Sequence, residues 1–347
     1  MTKKNPKNLF DFDDILIQPE IITNISSRSE ITPYYVGEKL PLMTAPMDTV
    51  IDENNFVHFN KVGITPILPR IKNPDYDYVD TNLFLSYSLI DFKKIFIESR
   101  PRIPENEQMF ALIDVANGHM GELYDAARDA KQIYGERLVL MVGNVANPET
   151  FELFCRINVD YVRIGIGNGG GCLTTQNTGI GYPMGSLIEE CNKVRMFDTK
   201  IVADGGFKKY SDVIKALALG ADYVMLGSIL NKALESAGQT TKENGEIINQ
   251  YSDVAKESFK VDIPLYKNFR GMSTKEVQKA WGKEELTTSE GVVRRHQVEY
   301  TLEGWVENFT HYLKSAMSYT NKKTLPEFIG KVNYNFISEN SLNRFQK

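Results

Sequence analysis

Short apolar runs rich in β-branched residues recur eight times between residues 40 and 230. They read PLMTAP (41–46), GITPIL (63–68), LFLSYSL (83–89), MFALIDV (109–115), RLVLMVGNV (137–145), DYVRIGIG (160–167), KIVADGG (200–206) and DYVMLGSIL (222–230). Several are followed by stretches of helical spacing, apolar on one face and charged on the other: GELYDAARDAKQIYG (121–135), PETFELFCRINV (148–159) and SDVIKALALGA (211–221). Strands alternating with helices predict a parallel sheet with crossovers. Runs apolar on both faces and eight in number predict its closed form, a (β/α)8 TIM barrel, over an open doubly wound sheet.

From residue 231 to 298 the periodic pattern fades into polar sequence, including GQTTKENGEIINQYSDVAKESF and GKEELTTSEGVVRR. That is too long for an ordinary connection and predicts an active-site flap or lid after strand eight, within a single catalytic domain spanning 1–347. Helical spacing returns from Gly304 to Thr320, which suits the last barrel helix. With 42% apolar residues and a net charge of −5, the chain has an ordinary globular composition and no field that gathers nucleic acid or an anionic membrane. No run is long enough to span a bilayer and no apolar leader opens the sequence, so a cytoplasmic protein is expected. Three cysteines without metal-ligand spacing argue against both a disulfide framework and a zinc site.

In such a barrel, ligands meet the carboxyl ends of the strands. Those ends read Asp48, Arg70, Asp114 with Asn117, Asn144, the loop around Cys172, Asp204 and Ser228. Glycines in ADGG (203–206) and LGS (226–228) let backbone amides close on an anion. Asp204 beside that anion needs donors of its own, and a ribose diol supplies them; phosphate plus diol indicates a nucleotide. Cys155 and Cys191 fall on predicted helices and read as core. Cys172 sits instead in GNGGGCLTTQNTGIGYP (167–183), a loop of six glycines where a thiol is exposed and near backbone N–H groups. A thiolate there suits attack on an electron-poor sp2 carbon such as C2 of a purine. None of the four histidines is an obvious partner, and only His119 lies near a strand end. Glu290, in TTSEGVV, is positioned to activate a hydroxyl such as Thr174 if the polar stretch folds over the loop. The segment IDVANGHMGE (113–122) ends strand four in polar groups; with no GxGxxG motif, a nicotinamide would be held by strand-end loops.

Taken together, FDFDDILIQP (10–19), TAPMDTV (44–50), GNV (143–145), VRIGIGNGGGC (162–172), ADGG and VMLGS resemble, in order, the IMP dehydrogenase and GMP reductase family of (β/α)8 barrels. SSRSE (26–30), DVANG (114–118), TGIGYP (178–183) and GMS (271–273) are similar to the reductase versions, and there is no room for the CBS pair that dehydrogenases carry. The resemblance implies reductive deamination of GMP to IMP and ammonia with NADPH, through a covalent bond from Cys172 to purine C2, with Thr174 and Glu290 handling the leaving ammonia. It implies substrate contacts from Asp204, Gly205, Gly206, Gly227, Ser228, Met272, Ser273 and Gly291, and cofactor contacts from Asp114, Val115, Ala116, Asn117, Gly118 and Arg70. It further implies a monovalent cation such as K+ on the carbonyls of Gly167, Gly169 and Cys172, and a homotetramer. The same site admits IMP dehydrogenase chemistry with NAD, giving XMP, or a divergent protein that binds or acts on an altered purine nucleotide. Asn168 and Gly170 depart from the family's GPGSxC loop, Thr287 stands where a basic residue is common, and residues are added between Ser236 and Gly271.

Overall fold

The computed structural model describes residues 8–70, 83–272, 274 and 292–345. Eight parallel strands form one sheet: β1 (Leu42–Thr44), β2 (Ile67–Leu68), β3 (Phe84–Tyr87), β4 (Met109–Asp114), β5 (Leu138–Val145), β6 (Tyr161–Ile164), β7 (Lys200–Asp204) and β8 (Tyr223–Leu226). From β2 to β8 each pairs with its sequence neighbour, and β1 pairs with β8. Between β1 and β2 the Thr44 amide donates to the Thr65 carbonyl at 3.1 Å, and the Thr65 amide to Leu42 at 3.0 Å. The sheet is therefore closed, and every one of the eight apolar runs contributes a barrel strand.

The strands are apolar on both sides because each side meets a different core. Met43, Ile67, Phe84, Leu112, Met141, Val202 and Met225 fill the barrel lumen, while Leu42, Ala111, Ile113, Leu140, Val162 and Ile201 face the helices outside. Those helices include α1 (Gly121–Tyr134), α2 (Pro148–Arg156), α3 (Met184–Val194) and α4 (Tyr210–Leu219). Local sequence sets their ends. Asn147 caps α2 by accepting from the amides of Glu149 and Thr150, and Pro148 fits the first turn because its missing N–H has no partner to lose. Cys155 on α2 and Cys191 on α3 are fully buried where these helices pack. A cationic side chain also enters the lumen. In β6, Val162 and Ile164 face outward, which turns Arg163 inward near the carboxyl end of the barrel.

The polar stretch after β8 gave no strands by periodicity, yet among its described residues lies a four-stranded antiparallel sheet. It comprises β9 (Thr240–Lys242), β10 (Ile247–Ile248), β11 (Leu265–Arg270) and β12 (Val293–Gln297), with helix α5 (Asp253–Lys260) against it. Leu234, Ala255, Leu265 and Val298 form its own small core. Helix α6 (Leu302–Tyr319), capped by Thr301, then returns to the barrel wall.

Lys267 of β11 is fully buried, and its ammonium donates to the Ser236 carbonyl at 2.7 Å. Burial pushes its pKa down from 10.5 to about 7, against the opposing pull of the Glu235 and Asp52 carboxylates. Between those two values the unfolded chain binds more protons than the folded one, so stability rises with pH across that window and is flat below it. Urea unfolding from pH 7 to 10 is expected to show this rise. Lys267→Met should flatten it, and an unchanged slope would count against the buried lysine as its source.

Candidate active site

Four charged side chains meet at the carboxyl end of the barrel. Arg163 donates from Nη1 to Asp114 Oδ1 at 2.6 Å and from Nε to Asp204 Oδ2 at 2.9 Å, with its side chain only 11% exposed. Burial alone would push its pKa down; the two carboxylates outweigh this and raise it, so the guanidinium stays charged. Arg70 approaches Asp114 from the other side, with Nε 3.5 Å from Oδ2 and Nη2 donating to the Asp114 backbone carbonyl. Asn144 Nδ2 donates to Asp204 Oδ2 at 2.7 Å and to the Gly165 carbonyl at 2.8 Å. The two carboxylates at the ends of β4 and β7 are thus joined through one arginine. Arg163 was not among the candidates read from sequence, although a charged residue inside an apolar strand is itself a signal.

The segment after β4 is stitched to the end of β5. Val115 donates to Gly143, Asn144 to Val115 and Gly118 to Asn144, at 2.8 to 2.9 Å. Ala116 and Asn117 are left exposed at the mouth of the barrel and Gly118 is buried. His119 is occupied structurally. Its Nε2 accepts from the Ala146 amide at 3.0 Å, which leaves Nδ1 as the protonated nitrogen facing Thr150 Oγ1. Burial lowers its pKa.

Cys172 lies in the loop after β6, half-buried, and its thiol donates to Thr174 Oγ1 at 3.2 Å. The Cys172 amide closes a turn on the Gly169 carbonyl at 2.9 Å. Gly205, at φ +88°, lies against this loop so closely that a Cβ there would sit 2.8 Å from the Gly169 amide nitrogen. Only glycine serves both the backbone angle and the approach. A Cβ on Gly170 would point to Ser228 Oγ at 4.0 Å, and one on Gly206 to the Asn168 carbonyl at 3.4 Å. The thiol loop, the Asp204 turn and the Gly227–Ser228 turn therefore form one corner. Asn168 lies under it, its amide donating to the Tyr182 carbonyl at 3.2 Å.

The small sheet reaches the same corner. The Gly271 amide donates to the Val292 carbonyl, and the Val292 amide donates to Gly171, each at 3.1 Å. Met272 follows directly, and Arg270 pairs with Asp48 at the end of β1. Ser273, Thr287, Glu290 and Gly291 lie outside the described residues. A cavity of about 440 Å3 opens at the opposite end of the barrel, among Phe84, Phe110, Tyr161 and Tyr223. None of the strand-end groups lines it, so the chemistry is assigned to the carboxyl end. Among the described residues no cluster of His, Cys, Asp or Glu could hold a metal, and no helix is long and apolar enough to cross a membrane.

The carboxyl end of the barrel thus carries a thiol-bearing glycine loop, two arginine-bridged carboxylates and a glycine-lined corner. The family model of the IMP dehydrogenase / GMP reductase domain matches residues 96–345. The chain belongs to the IMP dehydrogenase / GMP reductase family. Among its relatives in this family, the GMP reductase of Streptococcus pyogenes serotype M5 (strain Manfredo) is 30% identical over 273 residues, covering 76% of this chain and 81% of that protein. That of serotype M4 (strain MGAS10750) is 30% identical over 253 residues, covering 70% and 76%. Family membership accounts for the closed barrel.

Proposed function

We propose that this family member is an NADPH-dependent GMP reductase, converting GMP to IMP and ammonia. The observation that carries the reading is the Cys172 thiol, 3.2 Å from the Thr174 hydroxyl, in a corner shared with Asp204 and Ser228. The names of the streptococcal relatives favour the reductase direction.

In this reading the Cys172 thiolate attacks C2 of the purine, forming an S–C2 bond and a tetrahedral carbon. Thr174, with Glu290 as the proton-handling carboxyl, protonates the amino group; the C2–N2 bond breaks, ammonia departs, and C2 remains bonded to sulfur. A dihydronicotinamide held by the Asp114–Gly118 segment and Arg70 would supply hydride to that carbon. The S–C2 bond then breaks, releasing IMP and restoring the thiolate. Asp204 has one oxygen committed to Arg163 and Asn144 and offers the other to the ribose diol. Gly205, Gly206, Gly227 and Ser228 take the phosphate, and Met272, Ser273 and Gly291 flank the base. Asp114, Val115, Ala116, Asn117, Gly118 and Arg70 suit the nicotinamide side, since the exposed Ala116 and Asn117 flank a carboxylate already fixed by two arginines. The carbonyls of Gly167, Gly169 and Cys172 are assigned to a monovalent cation such as K+.

Purified protein is expected to oxidise NADPH only when GMP is present, releasing one ammonia per NADPH, while IMP with NAD gives a much lower rate. Silence with GMP and NADPH would sink the reading.

A further inference from the structure

The small sheet does more than lie beside the thiol loop: it ends on it. The β11–β12 ladder pairs Arg270 with Val293, continues through the Gly271–Val292 bond, and takes Gly171 as its last rung through the Val292 amide at 3.1 Å. Gly171 is buried and directly precedes Cys172. A Cβ built on it would meet Phe269 Cε1 at 3.1 Å, Gly271 Cα at 3.4 Å and the Gly271 nitrogen at 3.5 Å.

Phe269 cannot withdraw. It is 3% exposed, and its ring stacks on His296 with centroids 4.9 Å apart. His296 Nδ1 faces Asn231 Oδ1 at 2.8 Å, and the Asn231 amide donates to the carbonyls of Thr49 at 2.7 Å and Asn268 at 3.1 Å. The surface under Gly171 is thus tied to β11, to the segment after β1 and to the helix following Ser228. A side chain at 171 would displace the loop rather than the ring.

We infer that Gly171 is a positioning residue. Its bare backbone lets the small sheet hold the loop against Phe269 and fixes where the Cys172 sulfur stands relative to Ser228 and Asp204. The inference rests on the reading of Cys172 as nucleophile, but its physical content, control of the thiol by the sheet, is independent of the substrate. Misplacing a nucleophile by about 1 Å lowers turnover on the order of a hundredfold.

The test compares wild type with Gly171→Val, Gly171→Ala and the double variant Gly171→Val with Phe269→Ala. Two readouts are used: iodoacetamide alkylation of Cys172 followed by mass spectrometry, and steady-state kinetics with GMP and NADPH. Cys155 and Cys191 are fully buried and do not compete for the reagent. Gly171→Val is expected to change the alkylation rate by about tenfold or more and to lower kcat about a hundredfold, with KM for GMP within about threefold. The double variant should recover at least about tenfold in kcat, because the ring that forced the loop away is gone. Gly171→Ala, which needs a smaller shift, should move both quantities the same way by roughly threefold, and it keeps the test decisive if the valine variant does not fold. An alkylation rate within about twofold of wild type in both single variants, or a double variant no nearer wild type than Gly171→Val, overturns the inference. If wild type shows no turnover, the reductase reading fails while the alkylation rates still decide the role of Gly171.

Discussion

Replacing Cys172 by alanine is expected to abolish GMP reduction, with a loss of roughly 10^4-fold or more in kcat, the scale seen when a covalent nucleophile is removed. GMP binding, measured by isothermal titration, should stay within a few-fold of wild type. The asymmetry follows from the geometry. Asp204 ends β7, and Gly206, Gly227 and Ser228 lie in the turns that follow β7 and β8, strands that the thiol loop touches but does not support. The same variant should also fail to form the covalent purine adduct that mass spectrometry would find in wild type. A Cys172→Ala protein that retains a few per cent of activity would remove the thiol from the mechanism.

The second large effect concerns Arg163. Arg163→Leu leaves Asp114 and Asp204 facing each other across a space from which their shared cation has gone. Breaking a buried charge network by removing one partner costs about 3–5 kcal/mol. A fall of many degrees in melting temperature is therefore expected, together with a loss of about a hundredfold or more in kcat/KM as both carboxylates lose their orientation. Arg163→Lys should recover only part of this. The guanidinium reaches Asp114 with Nη1 and Asp204 with Nε, whereas one ammonium is a single point charge on a flexible stem. Thermal melts beside steady-state kinetics separate the two effects. A leucine variant with near-normal kcat/KM in its folded fraction would show that the bridge serves stability alone.

How much could be read in advance depended on where the physical signal lay. The barrel strands stood out because each faces apolar surroundings on both sides, so a run such as RLVLMVGNV carries no polar interruption until its functional end. The strand-end rule then found Asp114, Asn144, Cys172 and Asp204, and the fold brings all four to one mouth. The small sheet was illegible because Thr240, Thr241 and Lys242 carry no apolar alternation, and in LYKNFR the inward position between Leu265 and Phe269 is taken by Lys267. Arg163 escaped because it precedes the strand end instead of following it. The requirement for glycine at 171 was illegible for another reason: it is set by Phe269 on a distant strand, and only tertiary structure puts a ring there.

The arginine bridge also has a thermodynamic consequence. Asp114 and Asp204 stand on different strands and would serve different ligands, yet each is held by the same guanidinium. A ligand that pulls on one carboxylate would alter the hold on the other, and the two binding events would then share an interaction free energy. Such an energy is reciprocal by necessity: whatever factor the first ligand imposes on the affinity of the second, the second imposes on the first. If the two carboxylates serve the two ligands of the proposed reaction, the coupling that Arg163 carries between them would be read as equal factors in the two affinities.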